Sequence, residues 1–340
     1  MNFYRTLQKI VSVRNPRARL AMLLCAHLLR RRTIGVYIDP VVACNLRCRM
    51  CAFSDPSQRG RLRGRMTDGE IAGVADGLYA RAIKVQIGCG AEPTLDRRLP
   101  ELIRQARDRG VPYVSITTNG QLLDRRLLEE CVAAGLDEVT LSMHGTTERT
   151  YEWLMTGASF AKFKETLGII ASVRAEYPRL KLRINYTVNA DNVDELPGLI
   201  PMLVDNTPAD VIQIRPVQKL GSTAYDNFDL TRVKESYEKT ILPVAERCRE
   251  RGITCLVPGL HELDQVATPV DERDRAFEAV TYCYVGPGTC YGGDFVPGKD
   301  TYAGYHRRKH TVGKLLRLMF SRNTASAEKR TTKKLNYRVK

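Results

Sequence analysis

Short apolar runs alternate with amphipathic stretches along the chain from residue 34 onward. The apolar runs predict six strands, at residues 34–38, 83–88, 112–116, 138–142, 181–188 and 210–215. Apolar positions with helical spacing predict helices at residues 122–134, 160–174 and 193–204. A further helix is expected to begin at Thr67, because Glu70 stands three residues later, as in a capping box. This alternation predicts an α/β protein with a parallel sheet and right-handed crossovers.

The length of 340 residues allows one large domain with appendages. No apolar stretch approaches the roughly 20 residues that a membrane-spanning helix needs. The longest apolar candidate, residues 20–29, is interrupted by His27 and lacks the cleavage site of a signal peptide. Ten cysteines without periodic spacing are typical of a reducing compartment and of metal or redox use. We therefore expect a cytoplasmic protein.

The positive charge is concentrated at the two ends of the chain. Residues 1–33 hold eight basic residues and no acidic residue, and residues 307–340 hold twelve basic residues and one acidic residue. The part between them is mildly acidic, which argues against nucleic-acid binding by the folded core. Basic ends next to the amphipathic segment 17–32 favour peripheral contact with an anionic membrane surface. Solvated tails or helices would explain the same charges.

Three cysteines lie within eight residues, directly after the first predicted strand. Cys44, Cys48 and Cys51 have spacings that let one short loop bring their thiols together. Thiolates are soft ligands that suit iron–sulfur clusters and zinc. Three ligands leave one coordination position open, which is typical of a reactive centre rather than a closed structural site. A zinc site remains the alternative, whereas a disulfide is disfavoured because nothing marks the chain as secreted.

The spacing C-x3-C-x2-C resembles the signature loop of the radical S-adenosylmethionine (SAM) superfamily. The resemblance implies a [4Fe-4S] cluster with three irons held by Cys44, Cys48 and Cys51, and a fourth iron chelated by SAM. It also favours a partial (β/α)6 TIM-like barrel, with a short N-terminal helical segment and a C-terminal extension, over a doubly wound sheet. One departure is Met50, which stands where the superfamily usually has an aromatic residue.

The second predicted strand leads into the turn Gly88-Cys89-Gly90-Ala91-Glu92-Pro93. This turn resembles the Gly-Gly-Glu-Pro motif of the same superfamily, with alanine in place of the second glycine. The resemblance implies that Gly90, Ala91, Glu92 and Pro93 contact the amino group of SAM. Without the cysteine loop before it, such a sequence would indicate only a turn.

The ends of the remaining strands supply further polar candidates. The resemblance implies SAM contacts for Asn119, Ser142 and Asn185, which stand at or near the ends of the third, fourth and fifth strands. His144 replaces the acid that superfamily members often carry, and it is a candidate proton donor or substrate contact unless it only satisfies a backbone carbonyl. Gln213 and Arg215 share one side of the sixth strand and are candidate substrate contacts, or a solvated outward pair.

We divide the chain into a basic amphipathic segment (1–33), a radical SAM barrel (34–220), a C-terminal helix and extension (221–306) and a basic tail (307–340). The extension resembles a degenerate SPASM/Twitch region, because Cys283 and Gly298 fit its spacing whereas Ala303 stands where a second cysteine belongs. We expect no complete auxiliary cluster. Cys248 and Cys255 are expected to be core thiols.

The resemblance implies an enzyme that cleaves SAM reductively and abstracts hydrogen from a substrate C–H bond. A small molecule, a peptide or a sugar or lipid-linked glycan is the expected substrate, and a flavodoxin or ferredoxin is the expected reductant. Only 33 residues precede the barrel, too few for a separate leader-peptide domain. The alternative function is a non-catalytic electron-transfer or metal-binding protein.

Overall fold

One large sheet organises the protein. The computed structural model describes residues 13, 15–219, 222–322, 324–330 and 338–339 of the chain. The strands among these residues are β1 (Ile34–Ile38), β2 (Ala82–Ile87), β3 (Val114–Thr118), β4 (Glu138–Met143), β5 (Lys181–Val188), β6 (Val211–Pro216), β7 (Thr254–Val257), β8 (Thr268–Asp271), β9 (Tyr282–Gly286), β10 (Thr289–Cys290), β11 (Ala325–Arg330) and β12 (Arg338–Val339). Ten of them form one sheet in the order β10-β9-β1-β2-β3-β4-β5-β6-β7-β12, and β8 pairs with β11 separately.

Helices follow most of the strands. The α-helices of the described residues are α1 (Pro16–Leu28), α2 (Pro56–Arg59), α3 (Asp68–Leu78), α4 (Leu99–Asp108), α5 (Arg125–Ala133), α6 (Glu148–Leu154), α7 (Phe160–Glu176), α8 (Thr231–Glu235), α9 (Tyr237–Glu250), α10 (Leu260–Leu263), α11 (Glu272–Thr281), α12 (Tyr302–Arg308) and α13 (Thr311–Phe320). The capping box at the start of α3 is present, with Thr67 and Glu70 bonding each other's backbone.

The six predicted strands are confirmed to within two residues at each end. Strands β1 to β7 are all parallel, so this part of the sheet is the expected α/β architecture. The first residues of β4 are buried without interruption, because helices and the barrel interior cover both faces of a parallel sheet. The carboxyl ends of these strands meet at one edge, where a site is expected.

The predicted helix at residues 193–204 is present as helical backbone, but it is not an α-helix. A 3-10 segment, Val193–Gly198, is followed by a π-helix, Ile200–Asn206. Pro197 and Pro201 explain the difference, because a proline has no N–H to donate and its ring clashes with the preceding turn of an α-helix. The segment nevertheless packs Leu196 and Leu203 into the core, as an amphipathic helix would.

The sheet extends beyond residue 220 on both sides of the six predicted strands. β7 continues it after β6, whereas β9 returns to the other edge and pairs in parallel with β1. In that register Gly35 faces Tyr282 and Val36 faces Cys283. The C-terminal part of the chain therefore contributes to the barrel, although the division of the chain at residue 220 itself stays a prediction.

Helix α1 packs against the C-terminal helices rather than standing alone. Leu20 and Leu24 of α1 join Val280 and Leu315 in a small separate core. Asn15 caps the helix by accepting hydrogen bonds from two first-turn amides. Within the described residues, no helix has both the length and the apolar character to cross a membrane. Most of the predicted basic tail after residue 330, and residues 1–12 and 14, lie outside the described residues.

Candidate active site

A pocket of about 400 Å³ opens at the carboxyl ends of the parallel strands. Many of the predicted site residues line it: Cys44, Cys48, Cys51, Gly90, Ala91, Glu92, Asn119, Ser142, His144 and Arg215. Pro93, Asn185 and Gln213 are not part of its lining. Residues separated by more than a hundred positions thus meet in one cavity of a size suited to a cofactor or small ligand.

The cysteine loop is fixed by backbone contacts to the end of α6 and to the segment that follows it. The Arg47 amide donates to the Thr156 carbonyl at 2.9 Å, and the Arg49 amide donates to the Leu154 carbonyl at 2.8 Å. The Arg49 guanidinium lies 4.5 Å from the ring centre of Trp153, the only tryptophan of the chain. These contacts hold the loop in a defined conformation before any cofactor binds.

The three thiols face the pocket in their neutral form. Burial raises the pKa of Cys44 to about 11 and raises that of Cys48 and Cys51 as well. Binding of iron would therefore release protons, as is usual for thiolate sites. Among the described residues, no three His, Cys, Asp or Glu side chains are gathered closely enough for a single ion. A [4Fe-4S] cluster does not need its ligands to meet on one ion, because each thiolate binds a different iron.

Hydrogen bonds to the Cys44 sulfur add to the fit with an iron–sulfur cluster. The Leu46 amide lies 3.4 Å from Cys44 Sγ, and Asn119 Nδ2 lies 3.8 Å from it. Asn119 Nδ2 also donates to Asn45 Oδ1 at 2.8 Å. Such donors tune the potential of a cluster by stabilising charge on its sulfur ligands.

Glu92 is buried, yet one of its oxygens keeps room for a ligand. Oε1 accepts hydrogen bonds from Thr94 and from the Thr118 hydroxyl, whereas Oε2 accepts the Asn119 amide at 2.9 Å. A carboxylate offers about four acceptor positions, so Oε2 can accept a further donor. Burial raises the pKa of Glu92, and the hydrogen bonds oppose this effect.

The turn before Glu92 depends on Gly88. Gly88 has φ +83°, and a Cβ placed there would lie 2.4 Å from the Thr117 carbonyl oxygen and 2.6 Å from Pro93. Only glycine combines this backbone conformation with so close an approach. The Glu92 amide then donates to the Ala43 carbonyl at 2.9 Å, which ties this turn to the cysteine loop.

Asp39 was missed by the sequence reasoning although it supports the same turn. Its carboxylate accepts the amides of Cys89 at 2.7 Å and Gly90 at 3.0 Å, and the Tyr284 hydroxyl at 2.8 Å. Tyr284 belongs to β9, so the C-terminal part of the chain reaches the pocket wall through Asp39. The position of Asp39 at the end of β1 was the only signal in the sequence.

Met50 contacts a residue beyond β5 that the sequence reasoning also missed. Asn189 Nδ2 lies 3.1 Å from Met50 Sδ. Met50 lines the pocket between Cys48 and Cys51. The thioether at this position is therefore oriented by a polar partner as well as by packing.

His144 and Arg215 stand on the part of the wall away from the turn that carries Glu92. Burial lowers the pKa of His144 to about 4, so its ring is neutral at pH 7. Its Nδ1 atom is buried and has no hydrogen-bond partner among the described residues. Ser142, two residues earlier, faces the same pocket. A backbone hydrogen bond with Met143 opposes the lowering of the pKa, so the ring has a partner in the chain, whereas Nδ1 can hydrogen-bond to a bound molecule.

Asn185 and Gln213 lie in the barrel interior, with Arg183. Arg183 Nε donates to Asn185 Oδ1 at 3.1 Å, and the same guanidinium donates to Gln213 Oε1. Gln213 is almost fully buried, whereas Arg215 on the same strand is exposed towards the pocket. The structure therefore brings Arg215, but neither Asn185 nor Gln213, to the pocket lining, and the roles predicted for all three stay predictions.

Cys283 and Cys290 lie in the core beside β1. Both are buried, and the side chain of Cys290 is within hydrogen-bonding distance of Cys283. Burial raises the pKa of Cys283 well above its ordinary value. Cys248 and Cys255 are likewise buried in the core, as expected for structural thiols. Whether Cys283 and Cys290 bind a metal stays a prediction.

A parallel barrel with three thiols after its first strand and a Gly-x-Glu-Pro turn after its second defines an iron–sulfur protein of the SAM-binding class. The model of the Radical SAM superfamily matches residues 38–186, the part of the chain that holds the cysteine loop and the Glu92 turn. This superfamily uses a [4Fe-4S] cluster and SAM. The match ends before the C-terminal extension, so the resemblance of that extension to a SPASM/Twitch region is not supported by it.

Similar proteins agree with this assignment. A probable GTP 3',8-cyclase of Sulfurisphaera tokodaii is 28% identical over 209 residues, which cover 62% of this chain and 64% of that protein. A GTP 3',8-cyclase of Chlorobaculum tepidum is 34% identical over 175 residues, half of each chain. The chain thus spans about half to two thirds of the length of these relatives.

A solved structure agrees in fold. Streptococcus suis SuiB bound to the precursor peptide SuiA matches with a TM-score of 0.56 and 17% identity, covering 84% of this chain and 65% of that one. At this identity the similarity shows the fold alone. It confirms the predicted TIM-like partial barrel.

Proposed function

We propose that the protein is a radical SAM enzyme that modifies an unactivated C–H bond. Bound together, the reduced cluster and SAM supply a 5′-deoxyadenosyl radical that takes hydrogen from the substrate. The observation that carries the proposal is the pocket in which the cysteine loop, the Glu92 turn and a free polar wall meet. An enzyme needs all three, whereas an electron carrier needs only the first.

The residues of the pocket divide into three groups by position. Cys44, Cys48 and Cys51 hold the cluster in this proposal. Glu92 accepts the amino group of SAM through Oε2, and Ser142 lies where a ribose hydroxyl would be bound. The Gly90-Ala91 backbone permits close approach of the ligand because neither residue carries a long side chain.

His144 and Arg215 face the space that remains for a substrate. A neutral imidazole can donate or accept a hydrogen bond, and a guanidinium favours an anionic or carbonyl group. Recognition by these two residues fits a small polar substrate. The relatives named as GTP 3',8-cyclases make GTP the first compound to test, followed by peptides and by sugar or lipid-linked glycans.

The experiment is anaerobic. The protein is reconstituted with iron and sulfide, reduced with dithionite and incubated with SAM alone or with each substrate, and 5′-deoxyadenosine is measured by mass spectrometry. We expect product from the wild type and none from Cys48→Ala, which removes one cluster ligand. A flavodoxin or ferredoxin should replace dithionite as the reductant.

Intact SAM under every condition, in a protein that carries its full cluster, would contradict the proposal. That result would favour the alternative, a non-catalytic electron-transfer or metal-binding protein. His144→Gln serves as the matched variant for the substrate side, because it should keep SAM cleavage and lose substrate turnover. Peripheral membrane contact through the basic ends stays a separate prediction.

A further inference from the structure

A second cavity lies at the opposite edge of the sheet, between the end of α1 and the start of α13. Its volume is about 450 Å³. Arg81, directly before β2, forms part of its wall, whereas Glu92 of the turn from Gly88 to Pro93 follows the other end of β2. A strand of six residues spans about 20 Å, so the two cavities are well separated.

The side chains around this second cavity are basic. Three arginines and three histidines line it, namely Arg30, Arg81, Arg307, His27, His306 and His310, and no acidic side chain is among its lining residues. Within the part of the chain that the structure describes, none of the three arginines forms an ion pair. Burial, and to a smaller extent the nearby Arg81, lowers the pKa of His27, so the fixed positive charge of the cavity comes from the arginines.

Arg81 is held in place but not neutralised. Its guanidinium lies 4.8 Å from the ring centre of Tyr302, and one NH2 group donates to the His27 carbonyl at 3.4 Å. Its Nε is buried and has no hydrogen-bond partner among the described residues. A buried N–H of a charged group without an acceptor is costly, so an acceptor from outside the chain would stabilise it.

The start of α13 adds donors of the same kind. Thr311, Val312 and Gly313 line the cavity, and no side chain caps the first turn of this ten-residue helix. Its free amides and the positive end of its dipole favour an anion. Guanidinium groups recognise phosphate oxygens in pairs of parallel hydrogen bonds.

We infer that this cavity binds a phosphate group through Arg30, Arg81, Arg307 and the first turn of α13. The site lies away from the proposed reaction and does not depend on it. The phosphate can belong to a soluble molecule or to a lipid headgroup. Leu28 and Leu29 beside the cavity are 60% and 68% exposed, so they could enter the apolar boundary of a membrane while the cavity holds the headgroup of a lipid.

The test uses the full-length protein and two probes. Inorganic phosphate is titrated by calorimetry against sodium chloride of equal ionic strength, and binding to phosphatidylcholine vesicles with and without phosphatidic acid is measured by sedimentation. The variant is Arg30→Gln with Arg307→Gln, two exposed residues at the rim of the cavity. The matched control is Arg97→Gln with Arg179→Gln, two exposed arginines elsewhere with the same change in charge.

We expect the rim variant to bind about tenfold more weakly than the wild type, and the control to bind like the wild type. Binding of free phosphate indicates a soluble source, and binding of phosphatidic acid vesicles without free phosphate indicates a lipid. Two results would overturn the inference: a wild type that binds neither probe, or equal losses in the rim and control variants, which would indicate only a general effect of charge.

Discussion

Replacement of Gly88 by alanine tests whether the backbone conformation of Gly88 determines the turn from Gly88 to Pro93. An L-residue in the left-handed region costs about 1–2 kcal/mol. The added Cβ would lie 2.4 Å from the Thr117 carbonyl oxygen and 2.6 Å from Pro93, both parts of rigid elements. Forcing an atom into a packed site costs about 1–3 kcal/mol more. We therefore expect Gly88→Ala to lower the free energy of unfolding by about 2–5 kcal/mol.

Gly168 provides a control in which replacement by alanine should change the free energy of unfolding in the opposite direction. It lies exposed in the middle of α7, its φ is not positive, and a Cβ there would meet no atom within 4 Å. Gly168→Ala should raise the free energy of unfolding by about 0.5–1 kcal/mol, because alanine favours a helix and loses less freedom on folding. Both variants change one glycine into one alanine, so composition is matched.

Urea unfolding followed by circular dichroism under anaerobic conditions gives the two midpoints, which are comparable when the slopes agree. Because the turn also carries Glu92, Gly88→Ala should lower SAM affinity while the iron content remains that of the wild type. The reasoning is refuted if Gly88→Ala is as stable as the wild type, or if the two alanine variants shift stability in the same direction.

Three further predictions concern the cofactors and pH. Glu92→Gln should keep the iron content and weaken SAM binding about tenfold in equilibrium dialysis, because a charge-assisted hydrogen bond to an ammonium is lost; unchanged affinity would remove Glu92 from the site. Iron analysis should give about four irons per chain in both the wild type and Cys283→Ser, and far less in Cys48→Ala, whereas about eight would indicate an auxiliary cluster. Burial, with smaller effects of His27 and Arg81, lowers the pKa of His306 to about 3, below its ordinary value of 6.5, so the fold favours the neutral ring. The contribution of His306 to the free energy of unfolding is complete above pH 6.5 and is lost as pH falls towards 3, by about 1 kcal/mol per pH unit. His306→Gln should make the free energy of unfolding, measured with urea, less dependent on pH. The same pH dependence in the variant and the wild type would contradict the prediction.

The strands and the cysteine loop could be predicted because their information is local. A run such as that in β1 is apolar at Ile34, Val36 and Ile38, and all three side chains are fully buried. The type of helix at residues 193–204 could not be predicted from apolar spacing alone, because Pro197 and Pro201 change the backbone hydrogen bonds without changing which residues face the core.

The residues that support the pocket from behind depend on contacts between distant parts of the chain. Asp39 and Tyr284 are 245 positions apart, and nothing in either neighbourhood indicates the other. Alternation along β6 predicts that Gln213 and Arg215 share one side of the strand, but only Arg215 lines the pocket. The alternation could not show that the Arg183 guanidinium donates a hydrogen bond to Gln213 Oε1, because that contact depends on the register between β5 and β6.

The pairing of β9 with β1 has a consequence for biosynthesis. A ribosome adds about 5–20 residues per second, so Tyr284 follows Asp39 by roughly 10–50 s. During that interval the cysteine loop has been synthesised, but β9 and the Tyr284 hydroxyl that supports Asp39 have not. We therefore expect the cellular machinery that supplies iron and sulfide to act on the completed chain rather than on the nascent one.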